Sequence, residues 1–217
     1  MSHSGRTVSV APERLAGWVQ RFGDRHGDVV WDSGGQHAVV RAADGARAEF
    51  RLPCPRVGPP AGGLAELVEH AESFADFGLI LVRRGGFAVG MVRGAELAES
   101  RCGTRYVQGQ TKAGGWSQQR FARRRSNQAD ELAGAAGQAV RDILGDALHD
   151  SGLRLVCGGD RSLVARCLEL AGTGSRDPDL RGRVLPRRLE VPDPRLRVLK
   201  EAVGSARSVR VVLNDLA

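Results

Sequence analysis

The chain has 217 residues, 41% hydrophobic and 26% charged, which suits one folded domain with a sizeable flank and is too apolar for a disordered tail. Outside glycine its longest wholly apolar run, residues 79–82, is far short of the about 20 residues of a membrane helix, and residues 1–10 lack the apolar stretch of a secretory signal, so a cytoplasmic protein with no membrane partner is expected. The formal charge of +7 comes from 32 basic and 25 acidic residues, and every basic residue except Lys112 and Lys200 is arginine, the side chain that grips phosphate through two parallel hydrogen bonds.

Leu15, Trp18, Val19 and Phe22 recur at helical spacing behind Pro12 and predict a helix over 11–24. Asp44-Gly45 then joins 38–41 to 46–52, a hairpin signal. In its second strand Ala46, Ala48, Phe50 and Leu52 share one face, and Arg47, Glu49 and Arg51 the other. Prolines 53, 55, 59 and 60 mark a loop, and Leu64, Leu67, Val68, Ala71 and Phe74 a second amphipathic helix. Residues 1–75 therefore read as an N-terminal helix–hairpin–helix extension of α+β type.

Residues 76–217 read as a second, α/β domain with a mixed sheet and helices. Strands are expected at 78–82, 87–92 and 97–107, an antiparallel meander. Residues 108–116 have no periodicity and three glycines, the pattern of a mobile loop. A long helix follows over 117–148, with Phe121, Leu132, Ala136, Ala139, Val140, Ile143 and Ala147 as its apolar face. A strand at 153–157 enters the turn Gly158-Gly159-Asp160, which reads as a strand-to-helix connection with Asp160 as N-cap of a helix through Leu170. That turn lacks the full nucleotide-binding glycine pattern and any Walker sequence. Residues 172–188 read as a loop, 194–203 as a short helix and 209–213 as a final strand.

Cys54, Cys102, Cys157 and Cys167 include no C-x-x-C pair, so neither a zinc ribbon nor a thioredoxin motif is expected, and reduced, buried, structural thiols are. His70 reads as a surface residue, His149 and Cys157 do not form a catalytic pair, and Asp177 and Asp179 suit turn chemistry better than a metal. No metal and no cofactor is expected.

The charge is unevenly placed. Between Glu99 and Asp130 there is no acidic residue, whereas Arg101, Arg105, Lys112, Arg120, Arg123, Arg124 and Arg125 all fall there; without these seven, 25 basic residues face 25 acidic ones. One stretch carries the whole excess, which points to a polyanion, with RNA as the favoured partner. Arginines also sit poorly at a helix start, where the macrodipole is positive, unless an incoming phosphate chain compensates. Within the stretch, Lys112-Ala113-Gly114-Gly115-Trp116-Ser117-Gln118-Gln119-Arg120 joins a glycine pair to two neutral amides that both donate and accept hydrogen bonds.

Gly114-Gly115 followed by Arg120-Phe121-Ala122-Arg123-x-Arg125 resembles the central domain of eukaryotic and archaeal peptide-chain release factors, where a Gly-Gly-Gln loop opens a long helix bearing Arg-Phe-Ala-Arg. The resemblance spans about residues 76–170. Aligned without a gap, the family's glutamine falls on Trp116; Gly115-Trp116-Ser117-Gln118 is instead similar to the G-x-x-Q pattern of the Vms/ANKZF-type release factors, peptidyl-tRNA hydrolases of ribosome quality control. The chain is identified as a bacterial member of that group. The resemblance implies a ribonuclease-H-like core and codon-independent release of nascent chains from tRNA on stalled large ribosomal subunits. Peptidyl-tRNA and large-subunit rRNA are then the partners, and a monomer is expected.

The same resemblance implies that Gln118 is catalytic, with Gln119 as the alternative because the register is ambiguous, and that Gly114 and Gly115 shape the loop. It implies RNA contacts for Lys112, Arg120, Arg123, Arg124 and Arg125. Trp116 either stacks on a base or anchors the loop. Two reactions stay open: hydrolysis of the peptidyl ester by a positioned water, and cleavage of the tRNA backbone near its 3′ end by a ribose 2′-hydroxyl. The competing readings are a ribosome- or RNA-binding factor without catalysis and a ribonuclease acting on free tRNA.

Overall fold

The computed structural model describes residues 5–32, 37–55, 62–104, 117–173 and 179–217, with the side chains of 117–125 excepted. In chain order the strands and helices are β1 (Thr7–Val10), α1 (Leu15–His26), β2 (Val29–Asp32), β3 (Ala38–Ala42), β4 (Arg47–Arg51), α2 (Leu64–Ser73), β5 (Phe77–Arg83), β6 (Gly86–Arg93), β7 (Glu96–Thr104), α3 (Ser117–Leu144), β8 (Arg154–Gly159), α4 (Arg161–Gly172), β9 (Val184–Leu189), α5 (Leu196–Arg207) and β10 (Val209–Leu213). Short 3-10 turns stand at Pro12–Arg14, Ala147–His149 and Leu180–Arg183. The chain divides into two compact units, one of Met1–Ala75 with Gly204–Ala217 and one of Asp76–Val203.

The first unit holds an antiparallel sheet in the order β1-β10-β4-β3-β2. Its core comes from the pleat: Ala46, Ala48 and Phe50 are fully buried, while Arg47 and Arg51 flank Glu49 on the other face and bond it at 3.0 and 2.9 Å. Desolvation pushes the Glu49 carboxyl up, but those two arginines outweigh it and hold it below the usual range. The hairpin turns on Gly45, at φ +90°, a conformation that disfavours a side chain. Leu15, Val19 and Phe22 bury one stripe of α1, where Trp18 stacks on Phe22 at 5.5 Å and meets the edge of Phe50 at 5.7 Å. The second domain expected at 76–217 ends earlier than that, because β10 pairs with β1 and β4 rather than with the sheet before it. Two strands of this sheet had no signal in the sequence. β1 has only four residues before Pro12, and β2 leaves Val30 exposed and has no clean alternation.

The second unit holds a mixed sheet in the order β7-β6-β5-β8-β9. β5, β6 and β7 form the antiparallel meander, and β8 and β9 run parallel to β5. Central β5 is buried on both faces up to Arg83. Ile80 and Val82 lie in a cluster with Leu132, Val140 and Leu144 of α3 and with Leu163 and Leu168 of α4. On the opposite face Leu199 of α5 reaches the bare Gly90 of β6, where a Cβ would stand 3.2 Å from its methyl. β9 corrects the expected loop 172–188. Its Pro186 and arginines hide the strand from a propensity reading, yet Pro is tolerated at an edge. Two arginines of that stretch serve the chain itself: Arg183 donates to the carbonyls of Asp150 and Leu148 at 2.5 and 3.0 Å, and Arg188 to that of Gly159 at 3.1 Å. Among the described residues no helix is long and apolar enough to cross a membrane.

Candidate nucleic-acid interface

The acid-free stretch begins on β7, which ends at Thr104, and runs into α3, which starts at Ser117. Lys112, Gly114, Gly115, Trp116 and the rest of the expected loop 108–116 lie outside the described residues. Gln118, Gln119, Arg120, Arg123, Arg124 and Arg125 fall on helical backbone in the first turns of α3, and their side chains also lie outside the description. α3 ends at Leu144 rather than 148, and the chain closes through the 3-10 turn Ala147–His149.

The mount beneath these residues is described. Beyond residue 125, Ser126 and Asn127 are exposed, and Leu132 is the first buried one among the described side chains of α3. Ser117 and Leu132 are separated by about 22 Å of helix at 1.5 Å per residue. From Leu132 onward Ala133, Ala136, Ala139, Val140 and Leu144 are fully buried. Their helix packs on α4 and on β5, β6 and β7. A methyl group at Gly137 would stand 3.1 Å from the Cys167 carbonyl oxygen and 3.2 Å from the Ala171 nitrogen, so bare backbone lets α3 and α4 approach. The strand-to-helix turn behind them is structural too. Gly159 takes φ +90° with its Cα against the Val82 carbonyl. Asp160 caps α4 by accepting from the Ser162 and Leu163 N–H groups at 3.0 and 3.3 Å. Desolvation raises the Asp160 carboxyl, but the Ser162 and Leu163 hydrogen bonds prevail and hold it below the ordinary value.

The electrostatics around the stretch are divided. Arg101 on β7 pairs with Asp142 of α3, which also accepts from Gln138 at 2.7 Å. This charge is therefore engaged within the protein, a partner 41 residues away that no local pattern could reveal. Asp130, the first carboxylate after the stretch, is taken by Arg166 at 3.2 Å; Arg166 also bonds Glu169 at 2.8 Å, and those bonds, Glu169 first, raise its already high pKa. The side chains of the other six basic residues of the stretch lie outside the described residues, and the nearest acid beyond them is neutralised by Arg166 of α4.

The cysteines are not all buried as expected. Cys157 and Cys167 are, and burial pushes both thiols up to about 12, so neither is a nucleophile at neutral pH. Cys102 is exposed on the outer strand β7 and Cys54 is half-buried. The His70 ring lies 3.2 Å from the Cys54 carbonyl, a contact within the fold. Among the described residues no group of three or more His, Cys, Asp and Glu is placed to hold a metal ion.

A mixed sheet backed by a long helix defines an α/β protein, and its sequence concentrates arginine, free of carboxylates, at the entry to that helix. Residues 75–212 match the model of acVLRF1, the Actinobacteria/chloroflexi VLRF1 release factor, and the chain belongs to that family. The match extends the resemblance read from residues 76–170 through β9, α5 and most of β10. No curated protein matches the chain. Among solved structures it is similar to an archaeal translation termination factor, aRF1, at 14% identity and a TM-score of 0.45, over 91% of this chain and 70% of that one. It is also similar to a structure described as an archaeal protein, at 17% identity and a TM-score of 0.39, over 75% of this chain and 48% of that one.

Proposed function

We propose that the protein frees nascent chains from peptidyl-tRNA held on stalled large ribosomal subunits. The observation that carries this reading is a coincidence inside residues 75–212: the family match contains the acid-free arginine run, and that run ends on the first turns of α3. The mixed sheet, three antiparallel strands followed by two parallel ones with helices between, also suits the ribonuclease-H-like core that such a factor needs.

In this reading the helix serves as an arm. Its base is fixed from Leu132 onward, so an RNA-bound tip about 22 Å away is held by a rigid rod rather than by a tether. Lys112, Arg120, Arg123, Arg124 and Arg125 neutralise phosphate around the tRNA acceptor end, and Trp116 stacks on an unpaired base. Gly114 and Gly115 let the backbone come close to the ester. Gln118, with Gln119 one position on, orients the nucleophile through an amide that needs no tuned pKa. That nucleophile is a water adding to the ester carbonyl, with the terminal ribose oxygen of the tRNA leaving as a hydroxyl, or the 2′-hydroxyl of a ribose attacking the adjacent phosphate, with the P–O5′ bond breaking, the 5′-hydroxyl of the next nucleotide leaving and a 2′,3′-cyclic phosphate remaining.

The test is incubation of the purified chain with stalled 50S–peptidyl-tRNA complexes, followed by analysis of the released chain and of the tRNA 3′ end. An intact 3′ end identifies ester hydrolysis and a shortened one identifies backbone cleavage. Gln118→Ala should lower release about 100-fold, as loss of one positioned hydrogen-bonding group does, without loss of subunit binding. Gln119→Ala should do so if the register is one residue later. Release unaffected by both changes would leave the protein a binding factor without catalysis.

A further inference from the structure

We propose a second RNA-binding site, in the first unit, where Arg6, Arg21 and Arg25 converge on a cavity walled by Trp18 and Phe22 and take a phosphodiester of single-stranded RNA. The inference rests on the RNA partner proposed above but uses none of the same residues.

The cavity measures about 220 Å³ and is open to one side of α1. That volume equals about seven waters, enough for a phosphate with its sugar and too small for a duplex. Trp18, Arg21, Phe22, Arg25 and His26 reach it from α1 at successive three- and four-residue spacings, and Arg6 from the residue before β1. No Asp or Glu side chain lines it.

Ion pairing divides the described arginines of this unit, and Arg14 and Arg210 resemble the trio in making none. Arg41, Arg47, Arg51 and Arg207 of the same unit each sit on a carboxylate, at 3.2, 3.0, 2.9 and 2.5 Å. Arg6, Arg21 and Arg25 are exposed and make no ion pair among the described residues. Residues 1–75 and 204–217 carry ten basic and ten acidic residues, so this is a local concentration in a unit with no net charge. Composition bias toward arginine supplies the residue type but not the convergence of three of them on one cavity. His26 completes the wall. Asp44 is held ionised, first by the Ala46 N–H and then by His26, so the His26 Nδ1 that meets it at 2.8 Å carries the proton. Guanidinium groups beside an aromatic wall are the elements of sequence-tolerant single-strand binding.

The experiment compares the full chain with Arg6→Gln/Arg21→Gln/Arg25→Gln and, in parallel, Arg123→Gln/Arg124→Gln/Arg125→Gln. Binding is measured to labelled deacylated tRNA by anisotropy and to 50S subunits by sedimentation, each across a salt series. The first triple variant should bind at least tenfold more weakly to one of these at 0.1 M salt, with its salt slope shallower by about 2. Which of the two is affected identifies tRNA or ribosomal RNA as the source of the phosphate. Unchanged affinity and slope on both overturns the site. If the α3 variant alone loses binding, the proposed function stands and this inference falls; if the wild-type chain binds neither RNA, both fall.

Discussion

Asp160 shows how one side chain fixes the back of the second unit. Its carboxylate accepts from two of the four N–H groups that the start of α4 leaves without helical partners. Replacing it by Ala should cost about 1 kcal/mol of unfolding free energy at pH 7, the usual value of such a cap. The sign with pH follows from its lowered pKa. A carboxylate held below its unfolded value, about 3.9, stabilises the fold above that pH and loses the contribution as pH falls through the folded value. Urea unfolding of the wild type and Asp160→Ala should therefore show a gap that is constant at neutral pH and narrows below about pH 3.9. A gap that widens on acidification would contradict the assignment. The neighbouring Gly159, at φ +90° against the Val82 carbonyl, gives the turn its second glycine without any nucleotide.

At the scale of elements, α3 couples the fold to the proposed chemistry, and Leu132 is where it is fastened. Leu132→Ala should cost about 2–5 kcal/mol, as a buried leucine truncation does, whereas the exposed Asn127→Ala should change stability by less than about 0.5 kcal/mol. Urea unfolding of the two variants checks this contrast. The apolar face of α3 was legible because Leu132, Ala136, Ala139 and Val140 repeat at helical period, and the hairpin because Asp44-Gly45 interrupts an alternating pattern. β9 was not legible, since Pro186, Arg187 and Arg188 are residues a strand admits only when a neighbour such as β8 supplies the pairing. The destination of β10 was hidden for a related reason. A strand's partner is set by the whole sheet, and Val209–Leu213 carries nothing local that selects β1 and β4. Of the candidate site, the charge stretch and the helix that receives it could be read from residues 99–130. The pairing of Arg101 with Asp142, and the convergence of Arg6 with Arg21 and Arg25, needed three dimensions.

For the molecule as a whole, the distribution of charge predicts how it meets RNA. The second unit holds the entire excess of +7, and the first is balanced. Arg101 is engaged by Asp142, and the salt slope counts how many of the other six positive charges of the stretch meet phosphate. Each contact on a single strand contributes about −0.7 to the slope of log affinity against log salt, so six give about −4, and the three arginines of the first unit would carry it to about −6. A salt series on tRNA or on 50S subunits measures that slope directly. A value near −1 would mean that the stretch does not lie along a phosphate chain. Arg101→Gln separates counting from contact: its partner is a surface carboxylate, so the change should cost at most about 1 kcal/mol of stability and leave the slope where it was. Arg124→Gln should instead make the slope shallower by about 0.7 with stability unchanged, because in this scheme its charge faces RNA and not the protein. Equal effects of the two substitutions on the slope would show that positive charge acts by its total rather than by its position.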